Sequence, residues 1–425
     1  MAIAQWLGNA QSVAQVVSGT LTATTNGALF NAQVGGKILT YTSSGSETTT
    51  QAAANFAALL GLNTSPPEFQ PMNYASSGNV VTVTAATASV PFVITFSASS
   101  GGAITQATTT ANGSPSDLTN PANWMRSGVP GILPQSGDDW MIEGVNVPDI
   151  LWNLDKGVNF PPRSINRWQS FGATIGLPDW NPNGYYEYLP KYLKLGPASV
   201  SSPGSGPQLK IILGVGPLGN GPQRERYDVG ATQTQLYVLS SGPPRDDNAV
   251  TFLGTNPANL INLQNASLGI AMNPSEVSSV SQIIVDGGGN LQVGLGVTVG
   301  SGLFINSSGS AYTLCAVPNI QISNGGQLTV GADGGTFPLV EAQGGSSVTW
   351  QCGGTIGDLI LLTGSRFDKS GDLRPLTVQS ATLDGDTSQV NDPNSTIAWP
   401  QGAMVQGQVV SGPVLTGPGR TWKIA

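Results

Sequence analysis

Short apolar triplets recur through the second half of the chain, often after a glycine-rich turn, and this repetition limits the fold more than any other feature. Leu291-Gln-Val293, Tyr312-Thr-Leu314, Leu328-Thr-Val330 and Val348-Thr-Trp350 begin 21, 16 and 20 residues apart, and Leu376-Thr-Val378 begins 28 further on. Gly287-Gly-Gly289, Gly325-Gly326 and Gly344-Gly345 supply turns between them. Apolar and polar residues alternating at period two signal a half-buried strand. Repeats near 20 residues without a helical period predict a solenoid whose coils stack short strands, since one coil cannot bury its apolar face alone. The expectation is a mainly β chain with a right-handed parallel β-helix over 208–425; a β-sandwich or jelly roll is the alternative. Pro-containing segments after Asn391 are expected to end the stack and cover its open edge.

Charge and residue type then exclude several function classes. Among 425 residues, 16 are Lys or Arg, 24 are Asp or Glu, and none is His. Without imidazole there is no Ser-His-Asp or Cys-His nucleophile, and two cysteines cannot replace the commonest zinc ligands. A net charge of −8 without basic clusters speaks against a nucleic-acid partner. No apolar run approaches 18 residues, so no membrane partner is expected. The opening MAIAQWLGNAQSVAQVV has no basic residue before its apolar stretch and does not read as a secretory signal. No cofactor or metal is expected, and the chain reads as a structural protein rather than an enzyme.

The distribution of charge divides the chain. Up to Ser116 the only charged side chains are Lys37, Glu47 and Glu68, and from Asp246 to Ser365 there is no Lys or Arg. Residues 1–17 read as an N-terminal arm and 18–113 as a small ββαββ module. In that module Lys37–Thr42, Asn79–Thr84 and Val90–Phe96 are expected strands. Thr48–Leu62 is an amphipathic helix with threonine N-caps and Gly61 as C-cap. Thr108–Ser116 reads as a linker. Residues 117–207 form a β-rich, charged and aromatic connecting region ahead of the repeats.

Candidate chemistry concentrates in that middle region. Asp138, Asp139, Glu143, Asp149 and Asp155 are the densest acidic segment. Two of them flanking a sugar bond would be a glycosidase arrangement, whereas Asp138-Asp139 before Trp140 also suits a turn. Trp168, Trp180, Tyr185, Tyr186, Tyr188 and Tyr192 suit core packing, a subunit interface or glycan stacking. Arg163, Arg167, Lys191 and Lys194 stand near enough in sequence to pair with acidic neighbours. Cys315 and Cys352 occupy similar offsets in their repeats, so they are either buried free thiols or a disulfide.

Trp6-Leu-Gly-Asn-Ala10 with Val13-Ala-Gln-Val16 resembles the opening of virion proteins of tailed bacteriophages and prophages. Pro121-Ala-Asn-Trp124, Gly137-Asp-Asp139, Thr174-Ile-Gly-Leu-Pro178, Tyr186-Glu-Tyr188 and Tyr192-Leu-Lys-Leu-Gly196 are similar to later segments of the same proteins, in the same order. The resemblance implies a particle-surface component: a capsid decoration, cement or head-fibre protein bound to the major capsid protein or other virion proteins. By analogy it implies a homotrimer, with the arm on a neighbouring subunit through Trp6 and Leu7. The alternative it leaves is a receptor-binding tailspike or tail fibre that binds or cleaves host glycan.

Overall fold

The structure is a computed structural model that describes residues 2–176, 192–197, 208–216, 221–245, 248–384, 387–405 and 407–410. Its main body is a parallel β-solenoid of about 11 turns. A long ladder runs through Ile3–Trp6, Asp139–Ile142, Ser164–Trp168, Gln208–Val215, Gln233–Val238 and Leu260–Gln264, then on by way of Ser278–Asp286 to Leu376–Leu383. A shorter ladder stacks Leu193–Lys194, Glu225–Asp228, Val250–Leu253, Ser267–Ile270 and six further strands ending at Gln389–Asn391. Neighbouring rungs are parallel throughout both ladders, which excludes the antiparallel jelly roll.

Along each strand one side chain in two faces the interior. Leu291, Ala311, Leu328, Val348 and Phe367 lie in one register and are buried. Three of the triplets therefore occupy equivalent places, but two do not. Gln292 pairs with Tyr312, so Tyr312 points outward and is 37% exposed, while Ala311 and Thr313 turn inward. A shift of one residue exchanges the two faces of a strand. Thr313 tolerates burial because its hydroxyl donates to the Cys315 carbonyl at 2.9 Å and accepts from the Cys315 N–H at 3.2 Å. Leu376–Val378 belongs to the other ladder, paired with Gly354–Ile356; the partner of Val348–Trp350 is Arg366–Asp368.

The strictest repeat lies at one corner. Gly287-Gly288, Ser307-Ser308, Asn324-Gly325, Gly344-Gly345 and Thr363-Gly364 are consecutive positive-φ pairs between the long and short ladders of successive coils. Two left-handed residues in a row form the tight reversal of a type I′ turn, which favours Gly and Asn. A second corner bends the later long strands. Phe337 and Val340, Ile356 and Leu359, and Val378 and Ala381 are all buried. Buried residues three apart break the alternation, so the strand changes direction between them.

The solenoid starts at Ile3, far upstream of the expected 208. Ile3–Trp6 pairs in parallel with Asp139–Ile142, which pairs with Ser164–Trp168. These first rungs escape sequence repetition because long excursions separate them. The largest excursion is the N-terminal module, so residues 1–17 are not a free arm. Val13 and Gly113 form an antiparallel bridge, with N–H to carbonyl distances of 2.9 and 3.2 Å. The chain enters and leaves the module side by side.

Within the module, Met72–Ser77, Val80–Ala85, Val16–Ala23 and Ala103–Thr110 form one antiparallel sheet, and Lys37–Thr42, Leu29–Val34 and Thr95–Ser99 another. It thus holds more strands than ββαββ. The helix spans Thr49–Leu60 and begins at a capping box between Thr48 and Gln51. Gly61 stands at its C-cap with φ −82°, so no left-handed turn ends it. Val90–Ile94 is not a strand; Pro91 offers no N–H to a ladder. Phe30, Phe56 and Phe96 centre a core that shares no residue with the solenoid core.

Candidate functional site

Trp6, expected on a neighbouring subunit, is fully buried in the chain's own first coil. Its ring meets Trp124 edge-on at 5.1 Å, Trp124 lies 5.1 Å from Trp140, and Trp140 lies 5.7 Å from Phe160. The Trp6 indole N–H donates to the Pro148 carbonyl at 3.2 Å and that of Trp124 to the Leu118 carbonyl at 2.8 Å. Asn123 ties these segments together. Its side-chain oxygen accepts from the Ala10 N–H at 2.7 Å, its amide donates to the Ser114 and Asp117 carbonyls, and its carbonyl accepts from the Leu7 N–H at 2.7 Å. Leu7 is half-buried. Gly8 has φ +63°, and a Cβ there would stand 2.4 Å from Pro148 Cδ. Three of the segments that carry the resemblance, Trp6–Ala10, Pro121–Trp124 and Gly137–Asp139, therefore build one end of the solenoid.

The aromatic candidates divide. Tyr192 is buried, its hydroxyl donates to Glu276 at 2.9 Å, and the Arg226 guanidinium lies 6.0 Å from its ring centroid. It is a contact within the chain rather than a free anchor. Trp168 is half-buried beside Gly216. Trp180, Tyr185, Tyr186 and Tyr188, together with Lys191, lie outside the described residues.

The acidic segment is engaged in structural contacts. Asp138 accepts from Arg126 Nε at 2.6 Å and from the Gln135 N–H at 2.8 Å. Burial would raise its carboxyl, but these donors outweigh burial and hold it below the ordinary carboxylate range. Burial likewise opposes ionisation of Asp139, and the Arg163 and Ser164 donors override it. Glu143 accepts from Gln5 at 2.9 Å, Asp149 from the Thr174 N–H at 2.7 Å, and Asp155 pairs with Lys156 at 2.8 Å. A carboxyl with a depressed pKa is a poor general acid, which must hold its proton near neutral pH.

Sequence reasoning missed a buried polar group between the first coils. Arg167 and Glu225 are fully enclosed and meet at 2.5 Å. Arg167 also donates to the Trp168 carbonyl at 2.7 Å, and Tyr227 donates to the other Glu225 oxygen at 2.9 Å. Burial, then the Glu225 charge, pushes the Tyr227 hydroxyl well above its usual range. The partners are 58 residues apart, and no motif signals them. Cys315 and Cys352 are free, buried thiols. Burial raises both, Cys352 to about 11, so neither is a reactive thiolate at neutral pH.

Two surface features remain. At the capped end, Ile3, Val129 and Ile132 are 53, 52 and 40% exposed, and the Ser127 N–H beside Val129 donates to the Ile3 carbonyl at 2.9 Å. On the outer face of the long ladder, Gln282, Phe304, Gln321, Glu341 and Gln343 line an open cleft of about 290 Å³. Among the described residues no group of His, Cys, Asp and Glu could hold a metal ion, and no helix is long and apolar enough to cross a membrane. Comparison with protein-family models, with curated proteins and with solved structures finds no match.

Proposed function

We propose that the chain is a structural subunit of a tailed-bacteriophage particle, a capsid decoration, cement or head-fibre protein that works by binding rather than turnover. The observation that carries this reading is the convergence of Trp6–Ala10, Pro121–Trp124 and Gly137–Asp139 on one end of the solenoid. Their order resembles that of phage virion proteins, and their contacts join them into one unit. That unit carries both the inserted module and the exposed apolar residues Ile3, Val129 and Ile132. A stack of about 11 coils with a compact module inserted in its first coil suits an appendage that docks at that end and projects the rest. The partner in this reading is the major capsid protein or another virion protein, the location is the particle surface, and the assembly is a homotrimer, the commonest arrangement of β-helical appendages by analogy.

Imaging intact particles with the protein labelled at its C-terminus tests the reading. Density for the solenoid on the particle surface is the expected result. A protein absent from purified particles, and a lone monomer by light scattering with no affinity for them, would overturn it.

A further inference from the structure

We propose that the outer face of the long ladder carries a binding site for an extended neutral glycan, centred on Phe304, Gln321 and Glu341. Register places Asn262, Ile284, Phe304, Gln321 and Glu341 opposite one another on five successive rungs. Four rung spacings make a column about 19 Å long. The 290 Å³ cleft around Phe304 adjoins a smaller depression of about 100 Å³, and the two share Gln282 and Ile284. Two adjoining depressions therefore lie along the same face.

The chemistry of the lining selects the ligand. Among the described residues, the side chains of Gln282, Gln321, Glu341 and Gln343 make no hydrogen bond to protein, and all of them meet at this cleft. Amides both donate and accept, and a carboxylate accepts from two hydroxyls at once. Phe304 and Ile284 are half-buried between them, so apolar surface lies beside polar groups. A sugar ring has that same division, with hydroxyls at its edge and C–H groups on its faces. No Lys or Arg occurs from Asp246 to Ser365, so the cleft has no local cation to balance a phosphate, sulfate or carboxylate. The nearest cation along this face, Lys210, is already over the Tyr237 ring at 5.3 Å. An anionic ligand would meet Glu341 uncompensated, and a neutral one avoids that repulsion.

The inference does not rest on the particle reading, and its test uses purified full-length chain without particles. The probe is an array of neutral and anionic oligosaccharides, with titration calorimetry on whichever neutral oligosaccharide gives the strongest signal. Expected are retention of neutral oligosaccharides, longer ones more tightly, and at least a tenfold weakening in Glu341→Gln and in Gln321→Ala. Gln389→Ala, on the other ladder, should bind as the parent does. Matching thermal melts show that each variant is folded. No retention of any neutral glycan, preference for anionic ones, or unchanged binding in both cleft variants would overturn the proposal. So would concentration-dependent self-association abolished by the same two variants, which would assign the face to a second copy of this chain.

Discussion

At the scale of single residues, the most consequential group is the buried pair Arg167–Glu225. Both side chains are fully enclosed, so each depends on the other to offset its desolvation. Arg167→Met leaves Glu225 charged without its partner and is expected to cost about 3–5 kcal/mol. The double variant Arg167→Met with Glu225→Gln should recover much of that loss, because the orphaned charge is gone. Thermal melts of the parent, single and double variants measure this; a double variant no better than the single would contradict it. Asp138 makes a prediction about pH. Its carboxyl is held below the ordinary range in the folded state, so its contribution is present above the unfolded value near pH ~3.9. It fades as pH falls through the lower folded value. The melting temperature of the parent should therefore drop more steeply between about pH 4 and pH 2 than that of Asp138→Asn, which begins lower. Parallel curves would remove Asp138 from the acid response.

At the scale of elements, the corner from the long to the short ladder is the most regular part of the coil. Five of these corners, from Gly287-Gly288 to Thr363-Gly364, use two consecutive left-handed residues, and Gly, Asn, Ser and Thr share the task. Thr363 is β-branched at φ 52°, the least favourable of them. Thr363→Gly should raise stability by up to about 1 kcal/mol, since relief of backbone strain outweighs the entropy added to the unfolded chain. A melting temperature equal to or below the parent's would show that the Thr363 side chain contributes more than its strain costs. The corners were visible in the sequence as Gly287-Gly-Gly289, Gly325-Gly326 and Gly344-Gly345, because a positive φ is a local demand that selects residue types directly. Ser307-Ser308 was not visible, since serine is common in every kind of loop. Tyr312–Leu314 was misplaced by one position for a related reason. Ala311 and Thr313 face the interior, and neither announces burial by its composition alone.

At the scale of the whole molecule, two cores share one chain. The solenoid closes around Trp6, Trp124 and Trp140, and the module closes around Phe30, Phe56 and Phe96. The crossing strands are paired at Val13 and Gly113, so the module is an insertion into the first coil. Replacing residues 14–112 by an Asn-Gly turn should leave the solenoid folded, because that turn joins antiparallel neighbours without displacing them. Circular dichroism with a cooperative melt near the parent's is the expected outcome. An aggregated or unfolded product would mean that the module stabilises the first coil.

What the sequence determined by itself was whatever depends on near neighbours. The strand alternation, the threonine N-cap of the helix, the glycine corners and the mainly β class all follow from preferences acting over a few residues. The shortage of charge was equally legible, and with it the absence of Lys and Arg from Asp246 to Ser365. The tertiary structure alone decided which rung lies on which, that Trp6 joins a strand more than a hundred residues away, that Arg167 meets Glu225, and that Phe304, Gln321 and Glu341 line one cleft. Those are contacts between coils, and stacking brings together residues whose separation along the chain varies with every excursion. Local preference carries no record of that separation, so only the closed solenoid reveals it.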